Sequence, residues 1–457
     1  MQESGKLGKL TVIGYCSPSF FIATTVTAAM VVLPTLYAQH TAVTLAQIGL
    51  ILMVARMLDA FTDPLIGYLS DNTKTRWGGR KPWIAAGAVT LIPAIWFLFH
   101  PTAESDALYF LTWAFFYTLG STMILIPGGA WGVELTRNPK ERARIFTIRG
   151  MLTYIGSITY AVLPILLFKR YGSTALSLDV MGDLALLTVI ALPFSFGLML
   201  LVVPKGKPVA SKKASLTSVW KTIRSNRLLW RYFAVMTFTG LGIGMYYGVM
   251  FLFFVDYMKM GQGFPFIAIT NGVAVFLAMP VWMKLVNRYG KARVWLWALL
   301  VSVPVSPMIW FISPGMESLI PVLGISVLGA CVLAGHFTVS PILLSDIVDY
   351  DTLRSGANKA GNIFSASLIV TKAAYAGGTG LALMLVGLFG YRMGVDNDAS
   401  AIFGLAFSFS ILPAVLFALG GIALLRYPMT SRKQDIIRRR LEQRVSRLKT
   451  ETTQAYN

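Results

Sequence analysis

Arg56-Met57-Leu58-Asp59-Ala60-Phe61-Thr62-Asp63-Pro64 lies within a long apolar segment and carries two carboxylates one helical turn apart. A charge at the centre of a bilayer costs roughly 2.5–3.5 kcal/mol on insertion scales. Two on one helix face, with an arginine a turn away, mark an ion site within a membrane. They point to a protein that moves something across that membrane.

The surrounding chain agrees. Its 457 residues are 55% hydrophobic and 13% charged, against about 25% charged in soluble domains. Twelve apolar segments are long enough to span, near 11–36, 45–69, 83–101, 107–133, 145–168, 180–203, 230–256, 266–287, 293–313, 317–345, 361–389 and 400–426. This predicts an all-α membrane protein with twelve transmembrane helices. The net charge of +20 is explained by topology. Basic residues gather between alternate spans, at Lys74, Arg76, Arg80 and Lys81, at Arg137, Lys140, Arg142 and Arg144, from Lys205 to Arg231, at Lys284, Arg288, Lys291 and Arg293, and from Arg426 onward. The other loops hold Lys169, Arg170, Lys259 and Arg392. Such asymmetry places both termini in the cytoplasm and removes the need for a nucleic-acid partner. Cys16 and Cys331 fall within spans, which excludes a disulfide framework. With three His and two Cys, there is little material for a nucleophile or metal cluster, so no enzyme is expected. The first apolar segment lacks a short h-region with a cleavage site and should remain as an anchor.

Two loops repeat one another. Arg76-Trp77-Gly78-Gly79-Arg80-Lys81-Pro82-Trp83 matches Arg288-Tyr289-Gly290-Lys291-Ala292-Arg293-Val294-Trp295, and the same offset pairs Glu134 with Asp346. The chain thus divides into a six-helix half at 1–203, a basic cytoplasmic linker at 204–229, a second six-helix half at 230–426, and a basic cytoplasmic tail at 427–457. Two parallel six-helix halves describe the major facilitator fold, with the substrate near the midplane between them. The tail carries Ile437, Leu441, Val445 and Leu448 at helical spacing. Either it lies along the anionic inner leaflet or it is simply solvated.

The run Arg56-x-x-Asp59-Ala-x-x-Asp63-Pro64-x-x-Gly67-x-x-x-Asp71-x-Thr73-x-x-Arg76-Trp77-Gly78-x-x-Lys81-Pro82-Trp83 resembles the glycoside–pentoside–hexuronide:cation symporters, the melibiose permease-like group of the major facilitator superfamily. So do Ile126-Pro127 with Glu134-Leu135-Thr136, Glu141-Arg142-x-Arg144 and Arg149, and Asp346-x-x-Asp349-Tyr350 with Lys372. The resemblance extends from the first span to the last.

It implies that Asp59 and Asp63 form a sodium, lithium or proton site. Like charges this close cannot both stay ionised in a dry site without a cation between them. Thr62 and Thr122 add neutral oxygens. Melibiose-type relatives have a third aspartate, where this chain has Leu125. That loss leaves sodium and a shared proton both open as the coupling ion. Asp59 pairing merely with Arg56 is the simpler alternative.

The sugar site implied by the resemblance is depleted. Its positions correspond to Ser19, Leu125, Gly129 with Trp131 nearby, and Arg149. The surviving cations, Arg149 and Lys372, come from opposite halves and would form an anion-binding pair if they converge. This favours an acidic glycoside such as a uronide. Otherwise Lys372 is the counter-ion of Asp59 or Asp63. His336 and Asn271 fall within spans, and a hydrogen-bonded packing role is expected for His336. Tyr246 and Tyr247 fall near the interface between the halves. Asp71, Arg80 and Lys81 are expected to gate the cytoplasmic side beside Glu134 and Arg142, or only to fix topology.

The sequence therefore predicts a cation-coupled symporter, sodium- or proton-driven, of a sugar, glycoside or acidic glycoside. A lysophospholipid or other amphiphile transporter of the same fold, or an uncoupled facilitator, is the alternative. No cofactor is expected beyond the coupling cation, and the partners are a small molecule and the lipid bilayer. A monomer in the bacterial inner membrane fits a compact chain whose site is self-contained.

Overall fold

The structure is a computed structural model describing residues 6–136, 138–206, 226–355, 360–425 and 427, together with 433, 434, 436, 437, 439, 440 and 443. Most of the expected linker (207–225) and most of the basic tail lie outside the described residues, as do Arg137, Arg426 and the Lys140 side chain.

Among the described residues twelve helices are long and apolar enough to cross a membrane. They are α1 (Lys9–Val31), α2 (Leu45–Asn72), α3 (Lys81–Phe99), α4 (Ala107–Leu135), α5 (Glu141–Leu166), α6 (Leu178–Val202), α7 (Arg227–Tyr257), α8 (Phe264–Tyr289), α9 (Lys291–Phe311), α10 (Met316–Ser355), α11 (Ile363–Leu388) and α12 (Ala399–Leu425). The protein is an all-α, multi-pass membrane protein. With no water in the bilayer core, a helix is the structure that satisfies every backbone group within its own segment.

Local chemistry sets the ends. Thr44 and Gln47 form a capping box at the start of α2. Asp106, Ser177 and Asn226 accept from backbone amides at the starts of α4, α6 and α7. Gly78 before α3 and Gly290 before α9 both adopt positive φ, at 101° and 88°. These are the matching glycines of the repeated loop, and a side chain at either would strain the turn.

The helix packing repeats as well. In the first half of the chain α1 packs on α5 and α6, while α4 packs on α2 and α3. In the second half α7 packs on α11 and α12, while α10 packs on α8 and α9. The two sets meet through α2 with α11 and α5 with α8. Small residues permit the closest approach, since apolar lipid leaves packing as the main attraction between membrane helices. A Cβ on Gly49 of α2 would stand 2.7 Å from the Gly380 oxygen of α11, and one on Gly387 would stand 3.0 Å from Ala46. Thr174 donates to the Gln262 carbonyl at 2.8 Å between the α5–α6 and α7–α8 loops. These contacts lie at the end away from the basic loops.

Candidate functional site

The buried face of α2 presents Ala55, Asp59, Asp63, Ile66 and Ser70, at spacings of three and four. Asp59 is 3% exposed and Asp63 8%. Each carboxylate has its own cation. Arg56 Nη1 stands 3.6 Å from Asp59 Oδ2. Lys372 Nζ of α11 forms an ion pair with Asp63 Oδ2 and lies within electrostatic reach of Asp59. Thr122 of α4 donates to Asp59 Oδ1 at 3.4 Å. The Thr62 hydroxyl turns back onto its own helix, donating to the Asp59 carbonyl at 3.4 Å. Asp63 Oδ1 is buried with no hydrogen-bond partner. The four charges sum to zero, and one comes from the second half of the chain.

Arg149 bonds to other partners. Its Nε donates to Ser19 Oγ at 3.2 Å and its Nη1 to the Tyr15 hydroxyl at 3.0 Å. With Phe146, Gly150, Thr153, Tyr154 and Ser157 it lines an open cavity of about 410 Å³. Arg149 and Lys372 therefore engage different partners: the former is held from α1, the latter from α2. The anion-binding pair expected from sequence is not assembled here, because Asp63 takes the lysine.

Open space surrounds the position where a Cβ on Gly129 would be. Trp131, expected near the substrate, is occupied by the protein's own groups. It is 1% exposed, its indole nitrogen donates to Pro204 O at 3.1 Å, and Lys81 Nζ stands 5.5 Å from its ring. Both the edge and a face of the ring are thus taken up by the protein. Leu125, at the position of the missing third acid, is 40% exposed.

The expected gate residues form separate contacts. Arg80 bonds Asp71 at 2.5 Å, Glu134 at 2.7 Å and Ser70 at 2.9 Å. Burial works against the Arg80 charge, but the Glu134 and Asp71 carboxylates hold its pKa above the ordinary value. Lys81 donates instead to the Leu200 carbonyl at 2.6 Å. Arg142 donates to the Val133 and Thr136 carbonyls, at 3.3 and 3.1 Å, at the end of α4. Every one of these partners belongs to the first half, so among the described residues the five do not bridge the two halves. A matching pair, Lys291 with Asp346 at 2.6 Å, occupies the same end of the second half, where Gln434 accepts from Lys291 at 2.8 Å.

His336 is buried, accepts from Trp295 Nε1 at 3.2 Å and lies 3.3 Å from the Tyr375 hydroxyl, the packing role expected of it. The sequence reading missed Tyr15, four residues before Ser19 and so on the same face of α1. It also missed Tyr154, whose hydroxyl donates to the Gly272 carbonyl across the two halves. The spacing to Ser19 was a usable signal for Tyr15; no local pattern distinguishes Tyr154.

The family described as MFS/sugar transport protein matches residues 14–431. An inner membrane symporter of Escherichia coli K12, YicJ, is 26% identical over 83% of this chain and 83% of its own. A glucuronide carrier protein homolog from the same organism is 23% identical over 85% of each chain. Among solved structures, a bacterial homolog of the human lysosomal transporter Spinster shares the fold, with a TM-score of 0.67, 13% identity, and coverage of 92% of this chain and 98% of that one.

Proposed function

The chain belongs to the MFS/sugar transport protein family, and from that premise we propose that it is a cation-coupled symporter of a sugar or an acidic glycoside, working by alternating access. It is a transporter and not an enzyme. The moving bodies are residues 1–203 and 230–426, joined by the linker 204–229, a division supported by the repeated packing of α1–α6 and α7–α12.

The observation that carries the reading is the ion pair between Lys372 and Asp63. It joins the two halves through a charge at the cation site. Before a cation enters, the ammonium group compensates Asp63 in a place where bare charge is costly. A sodium ion or a proton arriving between Asp59 and Asp63 supplies the same compensation and releases the lysine. The freed ammonium is then available, with Arg149, to a carboxylate or a cluster of hydroxyls on the substrate. Cation and substrate thus bind cooperatively, because each removes a cost that the other would meet alone. Thr122 and Thr62 supply neutral oxygens to the cation, and Ser19 and the open face at Gly129 border the substrate. With Leu125 in place of a third acid, fewer hard oxygens are left for sodium, which favours the proton.

The test is uptake into proteoliposomes of paired neutral and acidic methyl glycosides, each with and without a sodium gradient and with and without a pH gradient. The expected result is accumulation of the acidic member against its gradient, driven by one of the two ions. Uptake that only equilibrates under every gradient would remove coupling. Preference for the neutral member would remove the anionic role of Arg149 and Lys372.

A further inference from the structure

The groups that hold Arg149 form a continuous chain from the cavity to the segment leaving α6. Tyr15 is buried on α1. Its hydroxyl accepts from Arg149 Nη1 at 3.0 Å and donates its own proton to Gly128 O on α4 at 2.8 Å. Ser19 Oγ receives Arg149 Nε. Two of the three guanidinium nitrogens are therefore fixed from α1, and the phenol doing much of the fixing is itself anchored to α4. The guanidinium also stands 5.6 Å from the Tyr15 ring centroid, a cation–π distance. Behind Tyr15, Trp131 meets its ring edge-on at 6.5 Å and donates to Pro204 O.

Gly132 makes room for this arrangement. A methyl group there would overlap the Tyr15 hydroxyl and stand 2.9 Å from Phe146 Cζ. Both neighbours are rings packed against other helices, so neither yields cheaply. With any larger residue at 132, the phenol loses the place from which it reaches both Gly128 and Arg149.

We propose that Tyr15 is a positioning residue for Arg149 and that Gly132 is the residue that admits it. The proposal rests on reading Arg149 as a substrate ligand. An unrestrained arginine samples many rotamers and must be ordered again each time a ligand binds. Here Tyr15 and Ser19 hold the fork in advance, and Nη2, which has no partner among the described residues, is left to meet a carboxylate or a pair of hydroxyls. Tyr15 does not touch the substrate; it acts through Arg149.

The experiment measures uptake of radiolabelled methyl β-D-glucuronide, or of methyl β-D-xyloside if the wild type takes up no glucuronide, in proteoliposomes holding Tyr15→Phe, Gly132→Ala, the double variant and Arg149→Lys. Losing a hydrogen bond to a charged group should raise KM roughly tenfold or more in Tyr15→Phe. With substrate saturating for each variant, so that the coupling between the two ligands is held constant, the cation concentration for half-maximal uptake should stay within about twofold of wild type, a split that general damage to the fold would not give. Gly132→Ala should show the same phenotype, and the double variant should be no worse than the stronger single, since both act on one contact. A KM for Tyr15→Phe within about twofold of wild type, while Arg149→Lys is impaired, overturns the positioning role. Additive single effects overturn the link through Gly132. If Arg149→Lys itself leaves KM unchanged, the reading of Arg149 as a substrate ligand fails instead. Should Tyr15→Phe not reach the membrane, Gly132→Ala carries the same comparison.

Discussion

Replacing Asp63 by asparagine should abolish gradient-driven accumulation while leaving exchange. The substitution keeps the shape of the side chain and removes the negative charge that Lys372 neutralises. Breaking a buried pair by removing one partner costs about 3–5 kcal/mol. The Lys372 side chain is 28% exposed, so water takes up part of that cost and the variant should still fold. The functional loss is larger. A tenfold cation gradient stores about 1.4 kcal/mol, and a potential of 100 mV adds about 2.3 kcal/mol per charge. Together they support accumulation of a few hundredfold. Without Asp63 no cation is needed to release Lys372, so the two fluxes separate and the ratio should fall to about one. The assay is uptake into proteoliposomes under an imposed gradient, with counterflow in preloaded vesicles as the control for folding and binding. Accumulation by Asp63→Asn above about tenfold would refute the reasoning, as would loss of gradient-driven uptake in which a further Lys372→Met change restores full accumulation.

Three other outcomes follow from the same geometry. Lys372→Met leaves Asp63 without its competitor, so the cation concentration for half-maximal binding should fall, by roughly tenfold; an unchanged or higher value, measured by titrating cation-dependent uptake or fluorescence, would contradict competition at Asp63. Leu125 lies one turn from Thr122, which bonds Asp59, so Leu125→Asp should add a third hard oxygen and raise sodium stimulation severalfold at fixed pH; sodium stimulation equal to wild type would place that position outside the cation site. Gly49→Val should strike Gly380 and disfavour the arrangement in which α2 and α11 touch. Overpacking of about 1–3 kcal/mol corresponds to roughly five- to hundredfold, read as slower single-turnover uptake, and an unaffected rate would mean that this contact does not limit the cycle.

Much of this molecule was legible in the linear chain, and particular residues show why. The twelve spans were readable because a bilayer imposes one length and one polarity on every crossing segment. The repeated loops were readable because a tight turn before a helix needs glycine at positive φ, and Gly78 and Gly290 both adopt it. Asp59 and Asp63 stood out because charge in a membrane is costly enough to leave a mark in any sequence. The surroundings of Trp131 were not legible, for the opposite reason. Its neighbours in sequence suggest the cavity, but its partner is Pro204, some seventy residues on. The gate residues were likewise grouped by motif. In space Lys81 turns to Leu200 and Arg142 to the end of α4, leaving Arg80 with Asp71 and Glu134.

What the sequence determined by itself was the solvent, the crossing number, the twofold repeat and the identity of the costly charges. Each follows from a rule that acts within one segment or between two similar ones. The tertiary structure decided the partnerships: Lys372 with Asp63, Arg149 with Tyr15 and Ser19, and Gly132 making room for the Tyr15 phenol. These join residues far apart in the chain, and they depend on which helix faces which. Helical periodicity shows that a residue faces inward, but only the packed bundle shows what it meets there.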